Sequence, residues 1–94
     1  MLEQAPQTVV ESTSRATSCE IGDETVILDF ESGQYFALNT VGTAIWRYLQ
    51  TPSTFAALCD RLMAEYEVPP ERCRTEVSAL VEQMAEHGLV RLRG

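Results

Sequence analysis

The strongest constraint on this chain is a change of hydrophobic period at Asn39-Thr40. Before that point, Glu24 to Phe30 (ETVILDF) and Gln34 to Leu38 (QYFAL) alternate residue by residue and are rich in β-branched and aromatic side chains, the pattern of strands. Val26, Leu28 and Phe30 fall on one face of the first strand, with Thr25, Ile27 and Asp29 on the other. In the second, Phe36 and Leu38 are split from Tyr35 and Ala37. Glu31-Ser32-Gly33 between them has hairpin length. After Thr40 the apolar residues recur at helical spacing, first as Val41, Ile45, Tyr48 and Leu49, then as Phe55, Leu58, Cys59, Leu62 and Tyr66. A third stripe follows as Cys73, Val77, Leu80, Val81 and Met84. Strands first and helices afterwards give an α+β layout rather than a parallel sheet interleaved with helices.

Local signals set the boundaries. Asn39 or Thr40 supplies a cap for the first helix, which ends near Gln50, and Thr51-Pro52-Ser53 opens the second. Val68-Pro69-Pro70 breaks that helix and starts the third, Gly88 after His87 stops it, and Leu89 to Leu92 docks as a short extension. Upstream, TVVEST and RATSCEI read as two short strands, with a turn at Gly22-Asp23. Residues 1–7 read as a flexible tail, so the expected domain spans residues 8–94.

Charge excludes one function class. Fourteen acidic residues against seven basic ones leave a net charge of −7, and every basic residue is arginine. Phosphate recognition needs a basic stripe that this chain lacks, and its third helix is itself net acidic. Ninety-four residues suffice for one core, not for a core with a deep substrate cavity. No apolar run has the length of a membrane span, the N-terminus has no secretory pattern, and the three cysteines show no Cys-x-x-Cys. The expectation is a cytoplasmic protein with reduced thiols, engaging neither nucleic acid nor membrane.

Catalytic signals are weak. His87, the sole histidine, falls at a helix C-terminus, where the helix dipole explains it. Cys59 and Cys73 lie on apolar stripes, where a thiol behaves as a small hydrophobe. A zinc site from the three cysteines and His87 is formally possible, but without paired-ligand spacing the expectation is no metal, no cofactor and no enzyme. Binding is different. Gln34 to Leu38 carries two aromatics and neither charge nor proline, so as an edge strand it is undefended. Either an extended peptide adds to it through backbone hydrogen bonds, or another part of the chain, such as Thr8 to Glu11, covers it.

The run ILDFESGQYFALNTVGTAIWRYL resembles the signature of PqqD-like proteins, the small recognition elements of ribosomal peptide maturation. The residues that carry the likeness are Leu28, Asp29, Gly33, Tyr35, Leu38, Asn39, Gly42, Ile45 and Trp46. A second block, Glu76, Val77, Leu80, Val81, Gly88, Leu89 and Val90, resembles the family's C-terminal helix and its end. The Gly-x-Tyr-Phe-x-Leu-Asn hairpin is most similar to the stand-alone leader-binding protein of lasso-peptide clusters. The pyrroloquinoline quinone chaperone, which usually carries a proline-containing segment before this step, ranks second. The family often has Asp where this chain has Glu76.

The resemblance implies a winged-helix-like domain with a three-stranded antiparallel sheet and three helices. It also implies a non-catalytic adaptor that holds a precursor's leader peptide as an added strand and presents it to a leader peptidase or another maturation enzyme. Carried onto this sequence, the leader-binding strand is Gln34, Tyr35, Phe36, Ala37 and Leu38. The helical wall is drawn from Arg74, Val77, Ser78, Val81, Met84 and Ala85, with Val77, Val81 and Met84 in competition between pocket and core. Which strand face lines the groove stays open. Trp46 lies off the first helical stripe, so it is either exposed, favouring a protein-docking domain without leader binding, or packed on the sheet.

Overall fold

In a computed structural model the chain is described over residues 2–13 and 16–94. In chain order the elements are β1 (Val9–Ser12), β2 (Ala16–Ile21), β3 (Glu24–Asp29), β4 (Tyr35–Leu38), α1 (Thr40–Tyr48) and β5 (Ser53–Thr54). They are followed by α2 (Phe55–Glu65), α3 (Pro70–Glu86) and β6 (Val90–Arg93). The expected α+β arrangement is observed: β2, β3 and β4 form a three-stranded antiparallel sheet in that spatial order, with the three helices behind it in a winged-helix-like arrangement. Arg15, at the start of the expected second strand, lies outside the described residues, as does Met1.

The β3–β4 connection is built by Asp29. Its carboxylate accepts from the Glu31 N–H (3.1 Å) and the Ser32 hydroxyl (2.9 Å). Its carbonyl accepts from the Gly33 N–H at 2.8 Å, while its own N–H donates to the Gln34 carbonyl at 2.9 Å. Two residues thus face one, and Gly33 has φ +72, the left-handed geometry of a glycine bulge that follows a tight turn.

At the far end of β4 the chain reverses into α1 at once. The Asn39 side chain accepts from the Gly42 N–H at 2.9 Å, satisfying a free donor of the first helical turn. A Cβ at Gly42 would stand 3.2 Å from the Cβ of Leu38, so glycine permits the close approach of helix to strand. Trp46 is packed rather than exposed. It is 5% accessible, and its indole N–H donates to the Ser18 hydroxyl on β2 at 3.1 Å. The sheet covers one side of α1 and α2 the other, so burial is not confined to a single stripe.

A second three-stranded sheet, order β5-β1-β6, ties the two ends of the chain together. Val9 opposes both Thr54 and Arg93, and Ser12 opposes Val90. Ser53-Thr54, expected as part of a helix start, is the short β5, with Thr54 then capping α2 through the Ala57 N–H at 3.1 Å. Leu2, within the expected flexible tail, forms a 3-10 turn with Glu3 and Gln4 and buries its side chain in the hydrophobic core. Among the described residues no helix is long and apolar enough to cross a membrane.

Trp46 is the sole tryptophan, so its fluorescence reports on this core. The native emission should be blue-shifted and shielded from acrylamide, and red-shifted native emission would contradict the packing. Followed by that signal in urea, Asn39→Ala should lower the unfolding free energy by about 1 kcal/mol through loss of the cap.

Candidate functional site

Because β1 pairs with β5 and β6, it does not cover β4, and β4 lies at the end of its sheet. The register shows which backbone groups this leaves open. Asp29 N–H bonds Gln34, and the pairs continue as Leu28 with Tyr35, Ile27 with Phe36, Val26 with Ala37 and Thr25 with Leu38. Antiparallel pairs alternate between hydrogen-bonded and non-bonded. Phe36 and Leu38 therefore turn their N–H and C=O towards β3, while Tyr35 and Ala37 turn theirs to the open edge. Two donors and two acceptors stand in line there.

Facing that edge across a cleft of about 270 Å³ is α3. The strand contributes Tyr35 to Leu38, the helix contributes Leu80, Gln83, Met84 and His87, and Ile27 and Leu89 complete the lining. The Phe36 and His87 rings meet at 4.6 Å between centroids, tilted by 52°. The end of α3 fixes His87 there. Leu89 N–H bonds the Met84 carbonyl (2.9 Å) and Gly88 N–H the Ala85 carbonyl (3.0 Å), and Gly88 has φ +73, a left-handed helix stop that turns the chain into β6.

The sequence-derived site residues divide sharply. Tyr35, Phe36, Ala37, Leu38 and Met84 line this cleft, and Gln34 immediately precedes the strand. Val77 and Val81 do not: both are fully buried in the core. Ser78 is buried on another side of the helix, donating to Glu82, whose carboxylate also accepts from the Leu2 N–H. Arg74 is exposed, and neither it nor Ala85 lines the cleft. The groove face of α3 instead runs through Glu76, Leu80, Gln83 and His87, at helical spacing but with a single aliphatic residue. Their spacing was the available signal; their polarity concealed it.

The other face of the sheet is also informative. The core side of β3 holds Thr25, Ile27 and Asp29, whereas Val26 and Leu28 point outward with Thr17, Cys19 and Tyr35 around a shallow apolar depression. On the same face Ile21 and Tyr35 are 67% and 71% accessible.

The two buried thiols, Cys59 and Cys73, are not activated nucleophiles. Burial pushes Cys59 up to about 12, with the Cys73 thiol beside it adding to the shift, and burial also raises Cys73. Among the described residues no group of three or more His, Cys, Asp or Glu is placed to hold a metal ion.

The family model for coenzyme PQQ synthesis protein D, PqqD, matches residues 24–90, which include both walls of the cleft. The chain belongs to the PqqD family. Among solved structures, this PqqD-like chain is similar to TbiB1 in complex with the TbiA(beta) leader peptide, with 27% identity and a TM-score of 0.79. The match covers 86% of this chain and 94% of TbiB1. It is also similar to lasso peptide synthetase B1 complexed with its leader peptide, at 26% identity and a TM-score of 0.75, covering 87% of this chain and 96% of the other. No curated protein sequence matches the chain significantly. As a PqqD-like chain the protein is homologous to proteins solved with bound leader peptides.

In the native protein a thiol reagent should modify exposed Cys19 quickly, and Cys59 and Cys73 only on unfolding. The unfolded chain ionises its thiols near 9.0 while folded Cys59 stays protonated to about 12. The contribution of protonated Cys59 to stability is therefore fully present below pH 9 and should be lost as pH rises from about 9 towards 12, read by urea titration at each pH.

Proposed function

We propose that this protein binds the leader segment of a ribosomally made precursor peptide as a strand added to β4. It then presents that leader to a maturation enzyme, the leader peptidase of a lasso-peptide pathway. The observation that carries this reading is the open edge at Tyr35 and Ala37 beside an apolar cleft. Main-chain bonds to those two residues set register, and leader side chains directed towards α3 meet Phe36, Leu38, Leu80, Gln83, Met84 and His87. The leader complexes of TbiB1 and lasso peptide synthetase B1 support leader binding and favour the lasso class over the quinone-cofactor chaperone. Presentation requires a second surface. The outward apolar face around Ile21, Leu28 and Tyr35 supplies it, whereas buried Trp46 does not.

Calorimetry with a cognate leader peptide should give a binding free energy of about −8 kcal/mol or stronger. Ala37→Pro removes a donor from the open edge and should weaken the leader about fivefold to tenfold with the circular dichroism preserved, while Arg61→Ala changes nothing. Phe36→Pro, which removes a donor facing β3, should disrupt the fold itself. A folded Ala37→Pro protein with full affinity would overturn strand addition. Separately, Ile21→Asp with Leu28→Asp should leave leader affinity intact but slow leader removal by the peptidase. Unchanged processing would remove the docking role of that face.

A further inference from the structure

The cleft does not end with β4. Past Leu38 it continues into a second cleft of about 420 Å³ that shares Ala37, Leu38 and Leu80 with the first. A third shares Val41, Arg72 and Glu76 with the second, so the three form one track along α3. Its chemistry changes along the way. Around Phe36 and Leu80 the walls are largely apolar, whereas beyond Leu38 Arg72 and Glu76 line the track and Glu67 joins them. Two acids and one base leave that end negative, on a chain whose net charge is already −7. The Asn39 side chain also borders the track but is committed to capping α1.

The Arg72–Glu76 pair is exchangeable. Arg72 Nε donates to Glu76 Oε2 at 2.7 Å, one helical turn apart, with side chains 72% and 47% accessible. The cation precedes the acid along the helix, the weaker order for such a pair, and an exposed pair contributes little net stability. Releasing Arg72 to water therefore costs little. An incoming carboxylate would find Arg72 paired and a second acid, Glu67, nearby, whereas an incoming cation would find Glu67 and, once Arg72 is released to water, Glu76.

We infer that Glu76 is a specificity residue for a Lys or Arg side chain lying just beyond the leader segment that pairs with β4, with Arg72 as its internal competitor. This rests on the strand-addition reading. A strand paired with Tyr35 and Ala37 leaves along this track, and at about 3.3 Å per residue its next one or two residues lie over the second cleft. The ligand class is thus a leader with a bulky apolar residue for the first cleft and a cation flanking it. Long-range attraction by the acidic surface acts in the same direction.

The test uses a displayed library of random 15-residue peptides selected on the intact protein. Peptides whose binding is lost in Ala37→Pro should carry Lys or Arg at one fixed offset from a bulky apolar residue. For the strongest such peptide, Glu76→Gln should weaken binding about threefold to fivefold, and Arg72→Gln should strengthen it by a similar factor. Glu76→Gln should also reduce the loss of affinity with added salt. Both positions are exposed, so circular dichroism should be unchanged. A merely structural ion pair would make both substitutions weaken binding, or neither act. Either result, or no enrichment of cations among the selected peptides, overturns the inference while leaving strand addition standing. Selected peptides indifferent to Ala37→Pro would instead overturn strand addition, and this inference with it.

Discussion

The pairing of β1 with β6 is the interaction on which the rest depends. By laddering Val9–Ser12 onto Val90–Arg93, the chain joins its two ends and engages an upstream strand that could otherwise have covered β4. Core packing reinforces this choice, since Val10 is fully buried and Leu2 and Leu89 join it. An exposed strand edge is ordinarily a liability, answered with charge, proline or a covering element. Here β4 has none of these, is only four residues long, and faces a helix that limits what can reach it. Short length and a confined approach protect the edge from indiscriminate pairing and leave it usable by one extended chain.

The geometry around the edge follows from two chain reversals. The Asp29 turn with its Gly33 bulge delivers β4 in the register that points Tyr35 and Ala37 outward. The Gly88 stop ends α3 with His87 against Phe36 and sends the chain back to pair with β1. The same glycine thus closes the helical wall of the groove and begins the strand that keeps the groove open.

The sequence made the elements legible and the surfaces much less so. The hairpin and the three helices follow from a change of period that packing enforces, and Asn39 and Gly88 mark their ends as expected. Of the second sheet only β1 reads locally as a strand; β5 is two residues long and β6 pairs with β1 from the opposite end of the chain, so the pairing carries no local signal. Hydrophobic periodicity selects Val77 and Val81, which are core, over Glu76, Gln83 and His87, which carry no apolar signature. Likewise, hydrophobicity alone would turn Val26 and Leu28 inward, yet Thr25, Ile27 and Asp29 are the buried set. Sequence pattern and burial part company at the open groove and on the outward sheet face, the two surfaces suited to partners.

Addition of a leader to β4 as a strand can be seen in amide hydrogen exchange followed residue by residue in NMR spectra. In the free protein the Phe36 and Leu38 amides, bonded to β3, should exchange slowly, and those of Tyr35 and Ala37 quickly. Saturation with a cognate leader peptide should slow Tyr35 and Ala37 selectively, leaving the protection of Phe36 and Leu38 essentially as it was. Tyr35 and Ala37 amides that still exchange freely at saturation would exclude strand addition at β4.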